Sequence, residues 1–329
     1  MNRSISLAIL DVGHGNSAVL MDTDGVVVID AGPGSALLEY LREENIDKLD
    51  VILISHADKD HIAGLLAILG SENLEIGRVL LNSDAAKSSI LWDDLLYTLS
   101  KAHSVRDLDF NIALTVRDTG SLDQGSVHIE ILAPTQYLAG HGPGSNDRKG
   151  RKVTTNSISA VIRLVYEGEP VALFAADLDG TGLENLIEEG LDCSAPILVY
   201  PHHGGLIGSG DINEFADKLS RLVNPDVVIF SIGRNKYNNP QPDIVREAKK
   251  NNPKLRIACT QLSKRCSSEV PNDEPKHLTN KFAQGRATRH CCGGTFLVEI
   301  GNGPTLLSPS ISAHSEFIST TVKTPLCQA

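Results

Sequence analysis

The sequence predicts an α/β fold in which two sheets lie face to face with helices outside, and three observations predict it. Short apolar runs of strand length alternate with segments of helical periodicity through both halves of the chain. Each half ends strands on His or Asp. The 329 residues are 41% hydrophobic and only 4% aromatic, so the chain can bury a large and mainly aliphatic core. Two such halves bury their sheets by stacking them and covering the outer faces with helices, which brings the polar strand ends of both halves to one edge.

Residues 5–10, 17–21 and 26–30 read as three short strands broken by Gly and Asp turns, a meander at an antiparallel sheet edge. Asp30-Ala31-Gly32-Pro33-Gly34 interrupts the pattern, and Leu37, Leu38 and Leu41 restart it at helical spacing. The run Val51 to Ile54 then delivers Ser55-His56-Ala57-Asp58-Lys59-Asp60-His61-Ile62-Ala63-Gly64, four potential metal ligands within six residues. His56 and Asp58 can point the same way from an extended turn. Asp60 and His61 begin the helix that Ile62, Leu65, Leu66 and Leu69 predict. Two pairs leaving one loop in different directions suit two neighbouring ions better than one.

Residues 78–82 follow as a strand and 89–101 as a helix carrying the only tryptophan, Trp92, with strands at 110–117 and 127–132. His103 and His128 have no ligand-spaced neighbours and read as ordinary residues. Residues 139–157 are too rich in Gly, Pro and charge to form a packed element. The second half repeats the first: strands at 161–165 and 171–175, Asp177, a helix at 181–189, a strand at 196–200, His202-His203, a helix at 211–222 and a strand at 226–231.

The net charge is −11, unevenly spread: residues 1–230 hold 16 Lys/Arg against 34 Asp/Glu, whereas residues 231–290 hold 13 against 5. That balance argues against indiscriminate coating of a polyanion and is compatible with one phosphate-bearing substrate held at one place. No apolar run approaches the ~18 residues of a membrane span and no leader precedes the first strand, so a cytoplasmic, non-membrane protein is expected. Six cysteines in that setting read as thiols or metal ligands rather than disulfides.

The His-x-Asp-x-Asp-His loop after a strand resembles the first metal motif of the metallo-β-lactamase (MBL) superfamily, in the variant with Asp in place of the second His. Asp11-Val12-Gly13-His14-Gly15-Asn16, Ile29-Asp30-Ala31-Gly32, Phe174-Ala175-Ala176-Asp177, Pro201-His202-His203-Gly204 and Ser231-Ile232-Gly233-Arg234-Asn235-Lys236-Tyr237 resemble the same superfamily in the same order. The set is most similar to the hydrolase domain of ComEC-like competence proteins and their free-standing relatives, over about residues 5–260 and 293–300. The resemblance implies an αββα sandwich, a single hydrolase domain over residues 1–300, and two divalent ions, zinc or manganese. It implies His56 and Asp58 on one ion, Asp60, His61 and His203 on the other, and Asp177 shared by both. Matching the flanking Pro and Gly favours His203 over His202 as the ligand, with a swap of the two left open. The first ion is short of protein ligands, its set to be completed by waters or His141, and its Asp tilts preference towards manganese. Asp30 is expected beneath the metals, holding the loops around it.

The implied reaction is hydrolysis by metal-activated water, with Asp60, His202 and Asn239 as catalytic candidates and Asn156, Ser157, Asn235 and Tyr237 as substrate-binding candidates. Arg148, Lys149, Arg151 and Lys152 are candidates for phosphate contacts. The chain departs from its relatives in two places: Asn238-Asn239-Pro240 replaces Gly-His-Pro, and Gly13-His14-Gly15-Asn16 replaces Gly-Gln-Gly-Asp, which makes His14 a candidate relocated acid. Where relatives have a short turn between the strands at 256–259 and 295–300, residues 260–292 form an insertion. Cys259 at the end of the preceding strand, with Cys266, His290, Cys291 and Cys292 of the insertion, could build a second zinc site, or the cysteines be free thiols; the insertion's Lys and Arg residues could form a lid. Cys193 reads as buried and inert. Residues 301–329 read as a C-terminal tail, poorly ordered or a peripheral strand.

The expected activity is a phosphodiesterase or nuclease acting on nucleic acid or nucleotides. The alternatives are a hydrolase of a small ester, lactone or phosphonate, and a binding or sensing module without catalysis.

Overall fold

A computed structural model describes residues 4–106, 108–208, 210–301 and 306–328. In chain order the strands are β1 (Ile5–Ile9), β2 (Ser17–Met21), β3 (Val26–Ala31), β4 (Lys48–Leu53), β5 (Glu75–Leu80), β6 (Asp109–Asn111), β7 (Val127–Ala133), β8 (Val161–Tyr166), β9 (Glu169–Phe174), β10 (Ile197–Val199), β11 (Val227–Phe230), β12 (Arg256–Cys259), β13 (Phe296–Ile300) and β14 (Leu306–Ser308). One sheet has the order β14-β13-β1-β2-β3-β4-β5-β6 and the other β12-β11-β10-β9-β8-β7. Each combines antiparallel and parallel pairs; β3 to β6 run parallel in the first and β9 to β12 in the second.

The two-residue period of the strands sorts their side chains between layers. From β1, Leu7 and Ile9 point between the sheets, where they share a core with Ile162, Phe174, Ile229 and Phe296. Ala8 points the other way, into a layer with Leu37, Tyr40, Leu41 and Leu65. On the far side Leu173, Leu198 and Phe230 meet Leu183, Phe215 and Ile244. The result is the helix-sheet-sheet-helix sandwich that the sequence predicts.

Two helices of the second half start on the residues their chemistry favours. Asp179 accepts from the Gly182 N–H at 2.9 Å to begin the helix Gly180–Glu189, and Asp211 accepts from Asn213 and Glu214 to begin Ile212–Val223.

Two expectations are corrected. The strand at 110–117 is cut short at Asn111, whose side chain accepts the Ala113 N–H at 2.9 Å, and a Thr115/Asp118 capping box turns the chain into a short helix. The strand after the insertion, β13, pairs antiparallel with β1 in the sheet opposite β12. The tail is not merely peripheral, since Ile311–Thr321 is a helix whose His314, Phe317 and Ile318 are buried, an i, i+3, i+4 stripe disguised by Ser and Thr. Residues 302–305 and 329, also part of that tail, lie outside the described residues. Among the described residues no helix is long and apolar enough to cross a membrane.

Candidate metal centre

The polar side chains gather where β1, β3, β4, β9, β10 and β11 end, at one edge of the sandwich. Four non-glycine residues there have positive φ: Asp30 (58°), Ala176 (46°), His202 (51°) and His203 (54°). Each such residue costs on the order of 1 kcal/mol. They turn the chain sharply at strand ends, so that side chains enter the pocket instead of continuing along the sheet. Close approach is secured by glycine at two positions. A Cβ on Gly15 would lie 2.4 Å from the Asp60 carbonyl oxygen, and one on Gly233 would lie 2.5 Å from the His14 nitrogen.

Two donor groups share Asp177. Asp60, His61, Asp177 and His203 form one, His56, Asp58 and Asp177 the other, with the donor atoms of each all within 4.8 Å of one another. Asp177 Oδ1 lies 3.3 Å from His61 Nε2 and 3.7 Å from His203 Nε2, while its Oδ2 lies 3.8 Å from His56 Nε2 and 3.6 Å from His202 Nδ1. His203 Nε2 is 3.2 Å from Asp60 Oδ2, and His56 Nε2 is 3.7 Å from Asp58 Oδ2.

The side chains are held from behind. Asp30 accepts from the Ser55 N–H (2.8 Å), the Ser55 hydroxyl (2.9 Å) and His61 Nδ1 (2.6 Å). The Ser159 hydroxyl accepts the Asp177 N–H at 3.1 Å and lies 3.3 Å from His56 Nδ1. With their Nδ1 atoms so engaged, His56 and His61 present Nε2 to the centre, and both Nε2 atoms are buried without a hydrogen-bond partner. Buried nitrogens are rarely left in that state unless a water or an ion completes them.

The local charges are strongly coupled. Burial pushes the Asp177 carboxyl up, but His61 and His203 beside it outweigh this and hold it well below the usual range. Asp60 is likewise held low by His203 and His61 against its burial. Asp58, pushed up by burial and pulled down by His56 and Lys87, settles at about 2. Burial opposes a charge on His61, yet Asp30 and Asp177 raise its pKa well above the ordinary value. The carboxylates are thus ionised, and the charge they call for falls on an imidazole that would have to lose a proton to solvent before its nitrogen could take a metal.

The cavity above these groups has a volume of about 610 Å³ and is lined by His14, Asp58, Asp60, Asp177, His202, His203, Gly205, Leu206, Tyr237, Asn238, Asn239, Gln241 and Arg265. His14 Nε2 is 3.5 Å from Asp60 Oδ2, its ring meets His203 at 4.4 Å and Tyr237 at 4.8 Å, and burial, then the neighbouring His203, pushes its pKa down to about 4. Asn239 is buried in the wall, its side-chain N–H₂ donating to the His202 carbonyl at 3.4 Å. Tyr237 stands at the mouth.

Other predicted residues are elsewhere. Ser157 is turned away to donate to Asp179 at 2.7 Å, Asn156 is outside the cavity lining, and Asn235 is exposed. His141 is exposed at the end of its helix, against Tyr137, and belongs to neither donor group. Arg151 is occupied by Asp147 and Glu188, Lys149 by Glu188, and Arg148 lies over Tyr137. Of the basic residues in the insertion, Lys281 pairs with Glu44, Arg286 with Glu274, and Arg289 with the Asn272 carbonyl; only Arg265 lines the cavity.

The insertion's cysteines do not converge either. Cys291 points at Asp11 (3.6 Å) and Cys292 at His314 Nε2 (3.3 Å), and among the described residues no group of three potential ligands includes Cys259, Cys266, His290, Cys291 or Cys292. The stretch instead buttresses the His14 turn, because buried Asp11 accepts from Gly13, Gly285 and Gln261 together. The sequence reading missed Ser55, Ser159 and Lys87. Ser55 and Ser159 adjoin segments already singled out, whereas nothing around Lys87 marks it.

Residues 10–234 match the family profile of the metallo-beta-lactamase superfamily. No curated protein matches the chain. Among solved structures, the metallo-beta-lactamase fold protein YhfI from Bacillus subtilis is 12% identical, with 74% of this chain and 92% of that one covered and a TM-score of 0.45. Tm1679, described as a metal-dependent hydrolase of the beta-lactamase superfamily, is 17% identical over 78% and 95%, with a TM-score of 0.46. Unliganded yeast PDE1 is 12% identical over 78% and 98%, with a TM-score of 0.48.

Proposed function

The chain belongs to the metallo-β-lactamase superfamily, and from that premise we propose that it is a metal-dependent hydrolase of phosphodiesters, in nucleic acid or in nucleotides. The observation that carries the reading is the convergence of five His and Asp side chains on Asp177, with two buried imidazole nitrogens lacking a hydrogen-bond partner. That donor set fits a pair of hard-to-borderline divalent ions, zinc or manganese, since it offers imidazole and carboxylate and no thiolate. Bound there, such ions supply a water of lowered pKa and polarise the oxygen of the bond to be broken.

The chain's own residues do the rest. Asp177 spans the two donor groups, one oxygen towards each, and so fixes their separation. Asp60 keeps a partly open side chain towards the cavity while anchored on His203, the position from which a carboxylate can accept a hydrogen bond from attacking water and orient it. His202, beside Asp177 and open to the cavity, can donate to a departing oxygen. At the rim, Arg265 offers a cation and Tyr237 a flat apolar face, a combination suited to a phosphate joined to a base.

The test is turnover of DNA, RNA, cyclic nucleotides and a chromogenic phosphodiester by purified protein reloaded with zinc or manganese. Asp60→Asn should lower turnover by at least about 100-fold, and a chelator should abolish it. Equal rates in the variant, or with chelator, refute the reading; cleavage of small esters or lactones alone refutes the substrate.

A further inference from the structure

The two donor groups differ in a way that concerns Lys87. The four-donor group is backed by an anion: His61 rests on Asp30. The three-donor group is backed by a cation, because the Lys87 ammonium donates to Asp58 Oδ1 while Asp58 Oδ2 faces His56. Lys87 is no free-swinging surface lysine. Its own N–H donates to the Asp84 carbonyl at 3.1 Å, and buried Asp84 closes the turn by accepting from the Ala86 N–H at 3.1 Å and the Thr155 hydroxyl at 2.5 Å. Only 26% of the Lys87 side chain is exposed.

We propose that Lys87 makes the two ion positions unequal: one ion loads tightly among Asp60, His61, Asp177 and His203, and the Lys87 charge keeps the position at His56 and Asp58 weak. The physical cause is twofold. The second position has one donor fewer, and an ammonium on its only unshared carboxylate neutralises the charge that would attract a cation and repels the cation itself. The resting protein therefore holds one ion, and a second enters when its concentration is high or when an anionic substrate draws Lys87 away from Asp58. This inference rests on the reading of the centre as a metal site.

Zinc titration of metal-free protein by calorimetry, with elemental analysis after gel filtration, reads the two positions separately from activity. Wild type should retain one ion per chain and bind a second at least about 100-fold more weakly; Lys87→Met should narrow that gap by about tenfold or more, and Lys87→Arg, which keeps the charge, should not. Two equally tight ions in the wild type, or a gap in Lys87→Met that is unchanged or wider, overturn the proposal while leaving a metal centre in place. Failure of wild type and both variants to bind any zinc overturns it together with the reading beneath it.

Discussion

Substituting Asp30 by Asn tests whether the residues behind the centre decide which imidazole nitrogen faces it. The native carboxylate takes the Ser55 N–H on one oxygen and the Ser55 hydroxyl and His61 Nδ1 on the other. Asn keeps the shape and tolerates the 58° φ. It also keeps an oxygen for the Ser55 N–H. The second oxygen becomes an N–H₂ donor, which the Ser55 hydroxyl can accept by rotating, but His61 Nδ1–H then meets a donor. To avoid the clash His61 must give up the Nδ1 hydrogen and keep the one on Nε2, the atom aimed at Asp177. One charge-assisted hydrogen bond is lost, about 2 kcal/mol in the metal-free protein. A zinc ion must in addition reverse the tautomer and recreate the clash, which should weaken binding by roughly 10–100-fold. Urea unfolding in chelator reads the first quantity, and competition with a chromophoric chelator reads the second. Zinc affinity within about twofold of wild type would show that Asp30 does not set the His61 tautomer, and the argument would fail.

Two predictions concern the part of the chain outside the centre. Burial, with Arg256 and His277 nearby, pushes the pKa of His314 down to about 3. Its folded pKa lies below its unfolded one, so the unfolded chain takes up the proton first as pH falls, and stability present above about 6.5 is lost progressively towards 3. Between pH 6.5 and 5 the loss from this group should be about 2 kcal/mol, and His314→Gln should show a correspondingly shallower fall in urea-unfolding free energy; parallel curves would refute the assignment. The thiols give the other prediction. Cys193, Cys259, Cys266, Cys291 and Cys292 are buried and burial raises the pKa of each, while Cys327 is partly exposed. A disulfide reagent should therefore titrate at most one thiol in the native protein and all six after unfolding; rapid labelling of two or more native thiols contradicts the packing.

What was legible in the sequence was what is written contiguously. The strand run Val51 to Ile54 followed by His56, Asp58, Asp60 and His61 sets strand, turn and candidate ligands within about a dozen positions, and the Asp177 and His203 segments repeat that grammar. The groups that hold those ligands were harder to read, because their roles arise only when distant strand ends meet. Ser159 rather than Ser157 reaches His56, a difference of two residues along a short helical turn in which Ser157 is claimed by Asp179. The insertion misled for the same reason. Its Cys, His and Lys/Arg content suggested a metal knot or a lid, yet most of those side chains found partners within the insertion or in neighbouring elements, and its main contribution passes through backbone N–H groups to Asp11, which no composition can reveal. Lys87 is the limiting case: an ordinary lysine in an ordinary turn reaches Asp58 because Asp84 and Thr155, seventy-one positions apart, clasp that turn. The identity of the candidate ligands is therefore a local property of this chain and their support a tertiary one, so substitutions behind the centre should grade metal affinity while substitutions within it should abolish binding.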